Sequence, residues 1–172
     1  MGGKYTGEIG FDLYERYRDT DYEIYYHHGK KSPNCYKPTP FFDECSDASK
    51  LGYVDIVVID KIKKKAILVC EIEETSNAPK TIIGDFMNIV LSDQISIDST
   101  PYDYDRDIVF ILGTKINCKG AGKKKTQNIC QKLKQINEKV GNKKIELIPI
   151  SKDDAEKLTK KVKEMIISKL DS

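Results

Sequence analysis

Tyr53-Val54-Asp55-Ile56-Val57-Val58-Ile59-Asp60 is followed, after the polar link Lys61-Ile62-Lys63-Lys64-Lys65, by Ala66-Ile67-Leu68-Val69-Cys70-Glu71-Ile72-Glu73. Both are short apolar runs rich in β-branched residues, and a polar link of this length predicts an antiparallel hairpin. Side chains alternate faces along a strand, so Glu71 and Glu73 point one way and Ile72 the other. If Asp60 stands opposite Ala66, Asp55 falls beside Glu71. Three carboxylates then share one sheet edge.

Such a cluster is unfavourable on an apolar strand, because like charges at close range resist ionisation and are costly to desolvate. A divalent cation removes the difficulty. Mg²⁺ takes one or two protein carboxylates, completes its shell with water and phosphate oxygens, and lowers the pKa of a bound water toward that of a usable nucleophile. The plainer alternative is that Glu71, Glu73 and Glu74 end a strand at the solvent boundary.

Working outward, 6–18 carries Ile9, Leu13 and Tyr17 at four-residue steps and predicts a short amphipathic helix. Residues 21–27 read as a Tyr- and Ile-rich strand, and the loop 29–50 holds Pro33, Pro38 and Pro40. Beyond the hairpin, Pro79 sits where a first helical turn begins. Ile82, Ile83, Phe86, Ile89 and Val90 continue at helical spacing. A strand at 107–113, a basic amphipathic helix at 124–140, a strand at 144–150 and a helix at 153–170 complete the chain. The segment 93–105, with Tyr102 and Tyr104 among acids, reads as a surface excursion. Without repeats or a low-complexity linker, the 172 residues form one α/β domain, a central mixed sheet flanked by helices.

The net charge of +2 conceals an asymmetry. Residues 1–60 hold 7 Lys+Arg against 11 Asp+Glu, residues 61–113 hold 6 against 9, and residues 114–172 hold 16 against 7. An acidic front suits cations and a basic rear suits an anion such as nucleic acid. Lys-rich helices are also commonly just solvated faces. The apolar runs are far shorter than the roughly 18 residues a membrane span needs, and the N-terminus lacks the apolar core of a secretory signal. A cytoplasmic protein is the expectation.

Five cysteines, odd in number and without a C-x-x-C pair, fit reduced thiols. A zinc set of His27, His28, Cys35 and Cys45 can be written, but its spacing matches no standard template. There is no G-x-S-x-G, P-loop or G-x-G-x-x-G. The stretch Gly120-Ala121-Gly122-Lys123 has neither the spacing nor the Ser or Thr of a Walker loop.

Asp55, then Glu71-Ile72-Glu73 on the partner strand, then a helix opening at Pro79-Lys80, resembles the PD-(D/E)XK phosphodiesterase superfamily, which includes type II restriction endonucleases and Holliday-junction resolvases. The resemblance covers about 6–113 and leaves 114–172 as a basic helix-strand-helix extension. It implies a restriction-endonuclease-like fold and a Mg²⁺- or Mn²⁺-dependent endonuclease hydrolysing DNA, of restriction or DNA-repair type. By analogy with the family, a homodimer is expected. Asp55 and Glu71 would be metal ligands. Glu73 stands where the family usually has Lys, as in a subset of restriction enzymes, and would accept a proton from the water or hold a second metal. Lys80 is a candidate for a migrated catalytic lysine; the alternative is a solvated Lys beside a Pro. Glu8 is a candidate for an additional metal-directed acid, in competition with Asp12 and Glu15.

Lys115, Lys119, Lys123, Lys124 and Lys125 follow the 107–113 strand and are the expected phosphate contacts, continued by Lys132, Lys134 and Lys139. The Tyr and His residues of 25–36 are candidates for stacking or groove contacts. A binding module of the same fold that has lost the reaction is the alternative function.

Overall fold

The hairpin forms, and its register is set by a bulge. In the computed structural model β3 (Ile56–Asp60) pairs antiparallel with β4 (Lys65–Glu73). At the turn Asp60 stands opposite Lys65, one residue short of the expected partner. Asp60 Oδ1 accepts from the backbone N–H of both Ile62 and Lys63, at 2.9 Å each, and Lys64 adopts a left-handed φ of 54°. An irregularity then leaves Ile67 without a cross-strand partner, since Ile59 faces Ala66 while Val58 faces Leu68. From there Ile56 stands opposite Cys70, which carries Asp55 to Glu71. A one-residue slip turns a strand's side chains to the other face, so without the bulge this pairing would be lost.

The structure describes residues 3–29, 33–43, 45–74, 79–115, 121–140 and 144–172, except for the side chains at 121–123, 137, 139 and 140. Around the hairpin run α1 (Lys4–Tyr17), β1 (Tyr22–Tyr26), β2 (Thr39–Phe41), α2 (Pro79–Leu91), β5 (Gln94–Ile97), β6 (Thr100–Lys115), α3 (Ala121–Val140), β7 (Lys144–Lys152) and α4 (Ala155–Leu170). The sheet runs β1-β3-β4-β6-β5-β2, with β7 also paired to β6. It is a mixed sheet curled into a half-barrel. Strand β6 pairs with β4 along one edge and is long enough to serve two more partners along the other. Its start pairs antiparallel with β5, and 107–115 pairs parallel with β7.

Strands β4, β6 and β7 are parallel and finish together, Glu73 beside Thr114 and Lys115 beside Lys152. The carboxylate-bearing end of β4 therefore lies at an edge formed by strand C-termini, where α/β sheets generally place their ligands. Val57, Val69, Phe110 and Leu112 pack with Ile82, Phe86 and Ile89 of α2 and Leu133 of α3. On the opposite face Val58, Cys70 and Ile111 pack with Ile9 and Leu13 of α1 and Val162 and Ile166 of α4. Each such side chain, fully buried, contributes roughly 1.5–3 kcal/mol.

Two expectations change. The segment 93–105 is a hairpin rather than a surface excursion: Ile95 and Ile97 are buried, and Asp98 and Ser99 turn the chain with φ of 48° and 67°. Two consecutive left-handed residues are the signature of a tight two-residue hairpin turn. Within the Pro-rich loop, Thr39–Phe41 pairs with β5 and places Pro40 at the end of the sheet path, where a missing N–H is tolerated.

Candidate functional site

Asp55 immediately precedes β3, and its backbone oxygen accepts from His27 N at 2.7 Å. Its Oδ2 accepts from Ile72 N at 2.7 Å, tying the carboxylate to the end of β4. Beside it Glu71 is 7% exposed, and its Oε1 is buried with no hydrogen-bond partner. The Asp55 and Glu71 carboxyl groups are close enough to perturb each other's ionisation. An orphaned buried oxygen carries a penalty of about 1–3 kcal/mol, more when it is charged.

Both side chains open into a cavity of about 400 Å³, with Glu73, Glu74, Thr81, Asp85, His28, Ile72 and Gly3 forming the rest of its wall. Burial pushes Asp55 up to about 7, against the Ile72 N–H, with Asp85 and Glu74 adding to the rise. Burial likewise raises Glu71 well above the usual carboxylate range, reinforced by Asp55 and Asp85. Asp85 is pushed up to about 6, first by burial and then by Glu73. Five acids around one space, three of them resisting ionisation, form a group that a cation would stabilise.

The one basic side chain on the cavity wall is His28, among the described residues. Its Nε2 lies 3.9 Å from Asp55 Oδ1, and its ring stacks on His27 at 3.7 Å between centroids. His28 holds a φ of 74°, uncommon for a residue with a side chain. A Cβ at Gly3 would come within 2.6 Å of the His28 ring, so only glycine lets α1 begin so close. His27, His28 and Asp55 each offer a ligand atom within 4.8 Å of the others. His27 is pushed down to about 4 by burial, then by His28 and Lys37.

Of the residues expected from sequence, Asp55, Glu71 and Glu73 come together. Lys80 is exposed on the first turn of α2 and does not line the cavity; Thr81 and Asp85, one helical turn apart, do. Glu8 is exposed on α1 and lines a separate cavity with Lys4, Gly7, Phe11, Asp12 and Gly29. Lys115 is half-buried at the end of β6, on the same sheet edge as Glu73. Lys119 and the Lys123 side chain lie outside the described residues. Lys124 and Lys125 are exposed and line a groove of about 470 Å³ with Ile83, Ile129 and Leu133, apart from the carboxylates. In the alternative zinc set, Cys35 Sγ lies 3.8 Å from the His28 backbone oxygen and Cys45 Sγ 3.6 Å from Gln94 Oε1; neither joins the imidazole group.

Four wall residues with polar side chains were not expected there from sequence: Thr81, Asp85, Glu74 and His28. Asp85 had a visible signal, since it is the only acid in α2. Glu74 reads as a strand-end acid, yet it is 8% exposed and accepts from Thr6 N and Thr6 Oγ1.

Among the described residues no helix is long and apolar enough to cross a membrane. Comparison with protein-family models, curated proteins and solved structures returns no match for this chain.

Proposed function

We propose that this chain is a divalent-cation-dependent phosphodiesterase, acting on DNA as an endonuclease. The observation that carries the reading is Glu71 Oε1, buried and unpartnered beside Asp55 in an acid-lined cavity. The donor set fits a dication: two close carboxyl groups, an orphaned oxygen and an imidazole within reach. Once the short strands β2 and β5 are set aside as additions, the order helix, strand, strand pair, helix, parallel strand is the one implied by the PD-(D/E)XK resemblance, which supports that reading.

Asp55 and Glu71 would hold Mg²⁺ or Mn²⁺, with His28 available as a further ligand. A cation bound there supplies a water of lowered pKa and stabilises charge on the phosphate oxygens. Glu73, on the same strand face as Glu71, accepts the proton of the attacking water. Asp85 closes the acidic wall from α2. Ile72 N, donating to Asp55 Oδ2, keeps that carboxylate turned to the cavity. Lys115 at the shared strand edge draws the polyanion toward the site, and the lysines of α3 extend that positive field.

A binding-only module is the competing reading. It is favoured by the absence of any lysine from the cavity wall, among the described residues. Incubation of supercoiled and branched DNA with Mg²⁺ or Mn²⁺ separates the two, comparing wild type with Glu71→Ala. The nuclease reading expects cation-dependent nicking that Glu71→Ala loses. Nicking that persists in the variant overturns it.

A further inference from the structure

Beside the carboxylates lies an exposed aromatic and cationic patch that the phosphodiesterase reading does not use. Tyr53, two residues before Asp55, is 42% exposed. Its ring lies 5.7 Å from that of His27, and His27 stacks on His28, whose Nε2 is 3.9 Å from Asp55 Oδ1. Three rings thus lead from solvent to the acid cavity. Two exposed ammonium groups gather at the outer ring. Lys50 Nζ lies 4.3 Å and Lys37 Nζ 5.2 Å from the Tyr53 centroid, and Lys50 Nζ donates to Tyr53 Oη at 2.7 Å. Neither lysine forms a salt bridge among the described residues, so no carboxylate there neutralises either charge; Tyr53 is what holds them.

A Tyr53 ring 42% exposed, two ammonium groups set over it and an adjacent acid cavity match the parts of a nucleotide: a flat base that displaces the ammoniums from the ring, flanking phosphates that take them up and a reacting phosphodiester. Base stacking on an aromatic face requires a base that is out of its helical stack, since the bases inside a duplex cover each other's faces. The groove lysines Lys124 and Lys125, by contrast, offer charge with no ring and discriminate nothing.

We propose that Tyr53, backed by His27 and flanked by Lys37 and Lys50, is a stacking platform for one unpaired base whose adjoining phosphodiester lies at Asp55 and Glu71. The substrate class is then single-stranded DNA, or a strand with an unpaired base at the cut. This rests on the nuclease reading for the position of the phosphodiester, but the platform itself is a binding claim and is measured without chemistry.

The test is fluorescence anisotropy in Ca²⁺, with a labelled single-stranded oligodeoxynucleotide of about a dozen nucleotides and a blunt duplex of the same sequence. Wild type should bind the single strand more tightly than the duplex. Tyr53→Ala should weaken single-strand binding roughly tenfold to a hundredfold, Tyr53→Phe should stay within about twofold, and duplex binding should not change. A single abasic position in the oligonucleotide should weaken wild type and not Tyr53→Ala, which probes the same contact without altering the fold. Lys50→Ala should flatten the salt dependence by about one phosphate contact. Equal single-strand affinity in wild type and Tyr53→Ala, or a preference for the duplex, overturns the platform. If DNA is cleaved but binding does not depend on Tyr53, the platform fails and the nuclease reading stands. If binding depends on Tyr53 but no cation supports cleavage, the nuclease reading fails and the platform stands.

Discussion

Glu74 Oε1 accepts two hydrogen bonds from Thr6, 2.7 Å from its N–H and 2.6 Å from its Oγ1, and so caps the first turn of α1 from the end of β4. Gly3, the residue at the N-cap, makes no side-chain cap bond, and the first turn of α1 contains no acid. The distant carboxylate supplies what the local sequence lacks, a negative acceptor at the positive end of the helix. Glu74→Ala should therefore lose about 2 kcal/mol in urea unfolding, because a capped N–H and a buried hydroxyl are both orphaned. Glu74→Gln, which keeps an acceptor, should lose less than half as much. Equal losses would mean that packing, not the cap, holds the helix in place.

The acid cavity makes stability pH-dependent in an unusual direction. Asp55 is raised to about 7, Asp85 to about 6 and Glu71 well above its usual range. A carboxyl with a higher pKa folded than unfolded keeps its proton preferentially in the folded state. Stability is then greatest below the ordinary carboxylate pKa and falls as pH rises through about 4 to about 7. His27 works oppositely: with its pKa pushed down to about 4, its contribution is lost as pH falls below about 6.5. Three carboxyls outweigh one imidazole. In EDTA, melting should drop by about 5 °C or more between about pH 5 and pH 8, and excess Mn²⁺ should cancel the drop, because cation binding takes the protons' place. A cation-free protein more stable at about pH 8 than at about pH 5 would refute this arrangement of charge.

Glu71→Gln separates charge from shape at the same place. Without a cation near pH 8 the variant should be more stable than wild type, by about 1–2 kcal/mol, because a carboxyl that ionises freely when unfolded but resists ionisation when folded is gone. It should also lose most of the stabilisation by Mn²⁺. Thermal melts with and without the cation check both signs. A variant less stable than wild type in EDTA would show that the Glu71 charge is already compensated.

The Asp55–Glu71 pairing was legible because both strand ends carry acids at the limits of apolar runs. The bulge at Ile67 was not, since nothing distinguishes Ile67 from its neighbours in an unbroken apolar stretch; the register assumed from sequence, Asp60 opposite Ala66, contained the same one-residue offset. Asp85 escaped notice because only the packing of α2 against the sheet turns it toward Glu73 and the cavity. His28 escaped it because its place depends on a left-handed φ and on Gly3, both tertiary facts. The β5 strand was hidden by Asp93, Asp98 and Asp103, which masked the alternation of Ile95 and Ile97.

His28 should tune which cation the cavity prefers. Imidazole suits borderline transition metals, while Mg²⁺ prefers oxygen ligands throughout. His28→Ala should lower Mn²⁺ affinity about tenfold and leave Mg²⁺ affinity within about twofold, by titration calorimetry. His28→Gly should show the same loss with a gain in cation-free stability, since glycine relieves the left-handed φ of 74°. Equal losses for the two metals would assign His28 to positioning Asp55 and not to metal binding.

Two glycine-to-alanine changes should have opposite signs, and the difference reaches the site. Inside a helix, Gly→Ala normally stabilises by about 0.5–1 kcal/mol. At Gly84 of α2 an added Cβ meets nothing within 4 Å, so Gly84→Ala should show that gain. At Gly7 of α1 the same methyl would lie 2.5 Å from Gly29 Cα and 2.7 Å from His28 O, both backbone atoms. No side-chain rotation relieves a backbone clash, so α1 or the 28–29 turn must move, and Gly7→Ala should destabilise by about 1–3 kcal/mol. That turn carries His28, so the variant should also lower Mn²⁺ affinity without altering any residue of the cavity wall. A Gly7→Ala protein with reduced melting temperature and unchanged Mn²⁺ affinity would show that α1 yields while the turn holds, and that the imidazole is fixed by β1 alone.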